Sequence, residues 1–341
     1  MRIAPCLLTV LAAGLLLSAA RAQLPNASQQ LQSFQQRSDL QASGLPFLPT
    51  NVPALYPGET SDVGPQSVVT IKPRRTWIEA DADEQYFYTD NMFLTGQHKQ
   101  GADVLVSTVQ AAFAPTPFPV RDGQLAPRVG YQHQWFNFGL DDDSRLTVFN
   151  LNTMMPQLAK LDSFDFNAST VFGDLTWRQG NWRFTGGADF TRLLDSGSYN
   201  EFYREYVPRW SVERQFSLSP ATGIAIGYDG DYRFTTTQAP PMGYGGSYND
   251  RTDQGVYLVG SWRLCRYAIL QPSYRFEYSH YTSLRRDDFL HSFDLTLYFP
   301  LTKNIALRGF IGYDDLNTDG LFAEDYEKLD VGGGLNLFVR F

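Results

Sequence analysis

The chain is poor in the features that build a soluble enzyme. Its 341 residues hold two cysteines, Cys6 and Cys265. Cys6 lies in a leader expected to be removed, so one thiol remains and an internal disulfide is excluded. Beyond residue 22 no apolar run reaches 18 residues, which excludes a transmembrane helix. The Leu-, Ile- and Val-rich blocks of a large soluble core are missing as well. Histidine is scarce: His98, His133, His280 and His291 form no H-x-x-x-H pair, and no cysteine pair stands beside them. Asp141, Asp142 and Asp143 lack the glycine and spaced oxygens of a calcium loop. No metal ligand set, cofactor motif or catalytic residue is therefore expected. Ser279 and His280, with Glu277, come nearest to a catalytic cluster, but adjacent strand residues point to opposite faces. The formal charge is −8, and loss of Arg2 and Arg21 with the leader takes it to −10. That acidic balance argues against a nucleic-acid partner.

The first 22 residues have the form of a secretory signal peptide. Arg2 precedes an apolar stretch from Leu7 to Leu17, and Ala20-Arg21-Ala22 fits the small-residue cleavage pattern. Residues 23–75 are rich in Gln, Pro and Ser without sustained periodicity. Such a segment buries too little apolar area to offset ordering. It reads as a partly disordered periplasmic extension, able to tether a periplasmic partner or simply to lead to the first strand.

From residue 76 onward the chain alternates. Aromatic residues make up 15% of the whole, dominated by 19 Tyr and 25 Phe, with 28 Gly. "DFLHSFDLTLYFP" sets Phe289, Phe293, Leu295, Leu297 and Phe299 against Ser292, Asp294 and Thr296. "NIALRGFIGYDDLN", "YAILQPSYRFEYSHY", "GVYLVGSWRLCR", "GIAIGYDGDYRF", "EFYREYVPRWSVERQFS", "NWRFTGGADFTR" and "FDFNASTVFGDLTW" repeat the period of two, the last with an unclear phase that points to a bulge. Short connections ("PLTK", "LSPA", "RQG") alternate with long polar ones such as "TTQAPPMGYGGSYNDRTD". Alternating strands, aromatic-rich rows and alternating loop lengths predict an all-β fold: an up-and-down antiparallel β-barrel in the outer membrane of a Gram-negative-type bacterium. Parity of strands then counts 12, with "TWIEADADEQYFYT", "DVLVSTVQAAF" and "RVGYQHQWFNFG" opening the barrel. A 14-strand barrel stays open through "PQSVVTIK". Residues 141–163, including "RLTVFN" and a short helix in "TMMPQLAKLDSF", fall in a long extracellular loop.

The chain finishes inside a strand, "KLDVGGGLNLFVRF". This strand is expected to close the barrel against the first, because an unpaired edge is not tolerated in lipid. Leu335, Leu337, Val339 and Phe341 resemble the terminal signal read by the outer-membrane assembly machinery. The segment "EQYFYTDNMFLTGQHKQGADVLVSTVQAAF" is similar to the first hairpin of the putative beta-barrel porin type 2 family. Tyr88, Asp90, Asn91, Met92, Phe93 and Leu94 carry that resemblance, which implies an outer-membrane barrel, in some members linked to export of extracellular polysaccharide.

The opposite rows predict the lumen. They hold Arg183, Asp189, Glu205, Arg209, Asp229, Asp231, Arg233, Arg263, Arg275, Glu277, Asp294, Arg308, Asp330 and Arg340. Two functions compete. Hydrated charges would line a narrow, porin-like path for small hydrophilic solutes such as saccharides or an exported polysaccharide. Paired charges would instead plug the barrel and leave a structural or docking protein. The first is the expectation. A barrel-embedded enzyme acting on lipid or peptide is a distant third. Outer-membrane lipids and the assembly machinery are the other expected partners.

Overall fold

The computed structural model describes residues 24–43, 76–97, 99–140, 145–150, 155–238, 240, 244–320 and 323–341. The leader and "PQSVVTIK" lie outside them. The described chain forms one helix, α1 (Leu24–Ser43), and strands β1 to β15.

Twelve strands form the barrel: β1 (Ile78–Thr89), β2 (Ala102–Phe113), β4 (Gly123–Phe138), β7 (Phe166–Gln179), β8 (Trp182–Asp195), β9 (Glu201–Ser219), β10 (Thr222–Thr237), β11 (Arg251–Cys265), β12 (Ala268–Tyr281), β13 (Asp287–Pro300), β14 (Ile305–Thr318) and β15 (Tyr326–Arg340). Each pairs antiparallel with its neighbours. β1 closes the ring on β15, from Glu79↔Arg340 to Thr89↔Asp330. The last residue is held as the alternation predicts: Trp77 N–H donates to Phe341 O at 2.6 Å and Phe341 N–H donates to Ile78 O at 2.9 Å. Strand β3 (Phe118–Val120) adds a short pairing to the start of β4.

Strand alternation gives the barrel two chemically distinct faces. Phe293, Leu295, Ile311, Val331 and Leu335 are exposed on the outside. Asp294, Thr296, Asp314 and Asp330, one residue out of phase, are buried inside. The apolar exterior suits lipid. Phe341, Leu335 and Leu337 are exposed on it, and Val339 shares their row.

Three expectations need correction. Residues 155–160 are not helical: β6 (Met155–Lys160) pairs with β5 (Arg145–Asn150) in a separate hairpin, and only Leu161–Phe164 forms a 3-10 turn. "RLTVFN" is thus a strand, though no part of the barrel. β7 runs without a register break; its inner row carries Phe166, Ala168 and Phe172, so both faces read as mixed in sequence.

The third correction is the largest. Leu24–Ser43 is not a periplasmic extension but a 20-residue helix inside the barrel. At the long-loop end Gln30 Nε2 donates to Met92 O, in the β1–β2 connection. At the short-turn end Gln271 Nε2 donates to Leu40 O and Gln41 O, both at 3.1 Å. The helix therefore runs down the lumen toward the end where β1 begins. Pro25 in its first turn suits a helix start. Its ordering rests on polar partners in the wall, which a criterion based on apolar burial overlooks.

Two outcomes test this architecture. Phe341→Ala should reduce the heat-modifiable, folded fraction far more than Phe338→Ala, since Phe338 sits in the inner row; equal loss would contradict closure through the outer row. At the long-loop rim, Asp165 accepts the Phe138 N–H at 2.7 Å, and burial pushes its carboxyl from 3.8 up to about 6. Stability tied to this group is present at acid pH and lost as pH rises through about 6. Asp165→Asn should flatten that loss in melting curves taken from pH 4 to 8.

Candidate functional site in the barrel lumen

Helix α1 lies in the lumen, and it has two faces. Ala27, Leu31 and Phe34, at spacings of four and three, form an apolar stripe. They pack into a cluster with Phe87, Val104, Phe136 and Phe166, walls contributed by β1, β2, β4 and β7. The Phe34 and Phe136 rings meet edge-on at 5.6 Å. Nearer the short-turn end, Leu40 packs with Ala225, Tyr257 and Val259.

The other face is polar and meets the charged wall of β11 to β15. Gln32 Nε2 donates to Glu277 Oε1 at 2.8 Å, and its Oε1 accepts from Arg251. Gln36 donates to the same Glu277. Ser33 Oγ donates to Asp314 at 3.0 Å and lies 2.8 Å from Lys328 Nζ. Arg37 anchors the face. Its Nε donates to Asp294 Oδ1 at 2.9 Å and its Nη2 to Asp330 Oδ2 at 2.6 Å. All three side chains are at most 6% exposed. Gln41 reaches Thr296 at 3.3 Å.

The sequence-predicted lumen residues occupy the inner rows, and most are paired there. Arg275 makes a two-pronged contact to Asp229, at 2.6 and 2.7 Å, and a third bond to Glu277 at 2.7 Å. Arg233 bridges Glu205 at 3.2 Å, Asp231 at 3.4 Å and Asp253 at 2.7 Å. Arg209 meets Asp189 at 2.7 Å, and Arg183 meets Glu213. Arg308 holds Asp83 at 2.6 Å, and Arg340 holds Glu79 at 3.0 Å. Arg263 stands half-buried in the inner row of Val259 and Ser261. Asp294 and Asp330 are the pair that α1 engages.

The expectation that these charges line water is not what the structure shows. They pair along the wall and with the helix, because an unpaired charge in a confined interior is costly. A cavity beside α1, bounded by Gln30, Ser33, Phe34 and Arg37, is about 30 Å³. That is room for a water or two.

Several partners escaped the sequence reading. Glu213, Asp253, Asp314 and Lys328 share inner rows with residues already identified, so the same alternation points to them; Asp83 lies on β1, where no lumen residue was identified. Arg37 could not be found that way, since it belongs to no strand. Its signal is the Leu31–Phe34 spacing in a Gln-rich run, ended by Gly44 and Pro46. Ser279 and His280 do face opposite sides; His280 is exposed beside Asp287.

No protein-family model and no curated protein sequence matches the chain. Among solved structures, an outer membrane channel from Pseudomonas putida F1 superposes with a TM-score of 0.50 at 11% identity, over 81% of this chain and 100% of that one. A bacterial polysaccharide outer membrane secretin gives 0.44 at 11% identity, over 78% and 99%. An anion-selective porin from Comamonas acidovorans gives 0.38 at 10%, over 78% and 99%. The chain thus has the fold of outer-membrane β-barrels; at such identities the likeness is one of fold.

Arg275→Ala should be strongly destabilising, because Asp229 and Glu277 are fixed to the wall and would lose the guanidinium they share, Glu277 keeping only the neutral donors Gln32 and Gln36. A loss on the order of 3 kcal/mol is expected. Thermal or urea melting in detergent reads it, and a loss within error would show that these charges are hydrated after all.

Proposed function

We propose that this chain is an outer-membrane channel for small hydrophilic solutes, held closed by its own helix α1. The carrying observation is how α1 is bound. Over most of its length it is fixed by side-chain hydrogen bonds and ion pairs: Gln32, Ser33, Gln36, Arg37 and Gln41 all contact the wall through polar atoms. Among the described side chains, its buried apolar groups are Ala27, Leu31, Phe34 and Leu40. Water can replace polar contacts at small net cost, whereas a hydrophobic core cannot be exchanged that way. Such a plug is suited to leave and return. The walls it would leave are charged and ready to hydrate.

A second reading has its own support. Most of the inward charges are paired with one another or with α1, as expected of a structural or docking barrel. The two readings part at Arg37. Breaking its pairs frees a movable helix, so the helix should leave before the barrel unfolds. Saccharides or an exported polysaccharide as cargo, a periplasmic partner for the part of residues 23–75 that follows α1 and assembly through the terminal strand belong to the same proposal, as does a non-enzymatic role without cofactor.

Planar-bilayer recordings separate the readings. The parent should show rare, brief openings, and Arg37→Ala should raise the open probability by roughly the tenfold that 1.4 kcal/mol represents, or more. Silence from both proteins would leave the structural barrel as the better account.

A further inference from the structure

The surroundings of Arg37 form a more specific device than a closed gate requires. Two carboxylates, Asp294 and Asp330, take different nitrogens of the guanidinium, at 2.9 and 2.6 Å. Two aromatic rings lie against it: Phe310 with its centroid 5.0 Å from Cζ and Phe87 at 6.0 Å. Space for the fork is left by Gly312. A Cβ there would sit 2.6 Å from Asp294 Oδ1 and 2.9 Å from Arg37 Nη2. Every element of this cradle belongs to the wall: β1, β13, β14 and β15. Without the helix it persists with three carboxylates, Asp294, Asp314 and Asp330, against one ammonium, Lys328, which lies 2.9 Å from Asp314 and 3.3 Å from Asp330. The site is short of positive charge and shaped for a planar cation.

We propose that this cradle is a recognition site for a guanidinium-bearing solute, that Arg37 occupies it as an internal mimic, and that such a solute competes with Arg37 and so releases α1. The choice of guanidinium over ammonium follows from geometry. A planar fork offers donors to two carboxylates at once and stacks on aromatic faces, whereas an ammonium is a compact, strongly hydrated charge. The competition rests on the gated-channel reading; recognition by the cradle does not.

The test uses the full chain carrying Arg37→Ala, refolded in detergent micelles, with melting temperature as the readout. Ethylguanidinium should raise the midpoint saturably in the variant and shift the parent far less, because Arg37 competes with it there. Ethylammonium should need a concentration higher by roughly tenfold or more for the same shift. Adding Asp330→Asn to the variant should abolish the response. Should Arg37→Ala fail to fold alone, ethylguanidinium in the refolding mixture should restore folded protein and ethylammonium should not. Equal responses to the two cations, or none to either, would overturn the site. Bilayer currents separate the two claims. Agmatine should raise the open probability of the parent. Binding without any current in parent or variant would defeat the gate and leave the cradle standing. A conducting variant that does not distinguish the two cations would defeat the cradle and leave the gate.

Discussion

The structure depends on one constraint: carboxylates on the inner wall of a closed barrel must find partners. A barrel of 12 strands has an interior too confined to hydrate every inward charge once a helix occupies it. Asp294 and Asp330 depend on Arg37 of the helix, with Lys328 beside Asp330. Elsewhere the wall supplies its own cations, as Arg275 does for Asp229 and Glu277. The wall is therefore complete on most of its surface and incomplete along the strip that α1 covers. That strip places the helix.

The two halves of the lumen do different work. The apolar half, from β1 to β7, packs the Ala27–Leu31–Phe34 stripe and sets the rotation of the helix about its axis. The charged half reads individual side chains and sets its depth: Ser33, Arg37 and Gln41, spaced at one turn, meet Asp314, Asp294 and Thr296 in descending order. A register slip of one residue would strand both acceptors of Arg37. Burial thus fixes orientation, and pairing fixes position.

The barrel was legible in the sequence because lipid outside and polar groups inside impose a period of two on most of its strands. Phe293 beside Asp294, and Val331 beside Asp330, show opposite surroundings one residue apart. β7 was harder to read because Phe166 and Phe172 face inward, against the helix. The plug was missed for a related reason. Its buried surface includes Ser28, Gln32, Arg37 and Gln41, residues that ordinarily mark solvent exposure. In this lumen they are buried because their partners are polar, so a reading by hydrophobic periodicity found no helix there. The β5–β6 hairpin shows a smaller version of the same limit: "MPQLAK" carries helix-compatible residues, and pairing with "RLTVFN" decides its state.

The claim that α1 occupies the lumen can be tested without any current or ligand. Leu31 is 1% exposed, deep in the apolar half of the lumen. In a Cys265→Ser background, Leu31→Cys should be protected from a membrane-impermeant thiol reagent in the folded barrel, and should react fully once the protein is unfolded. Modification of the folded protein at the rate seen in the unfolded chain would place the helix outside the barrel and contradict a plugged lumen.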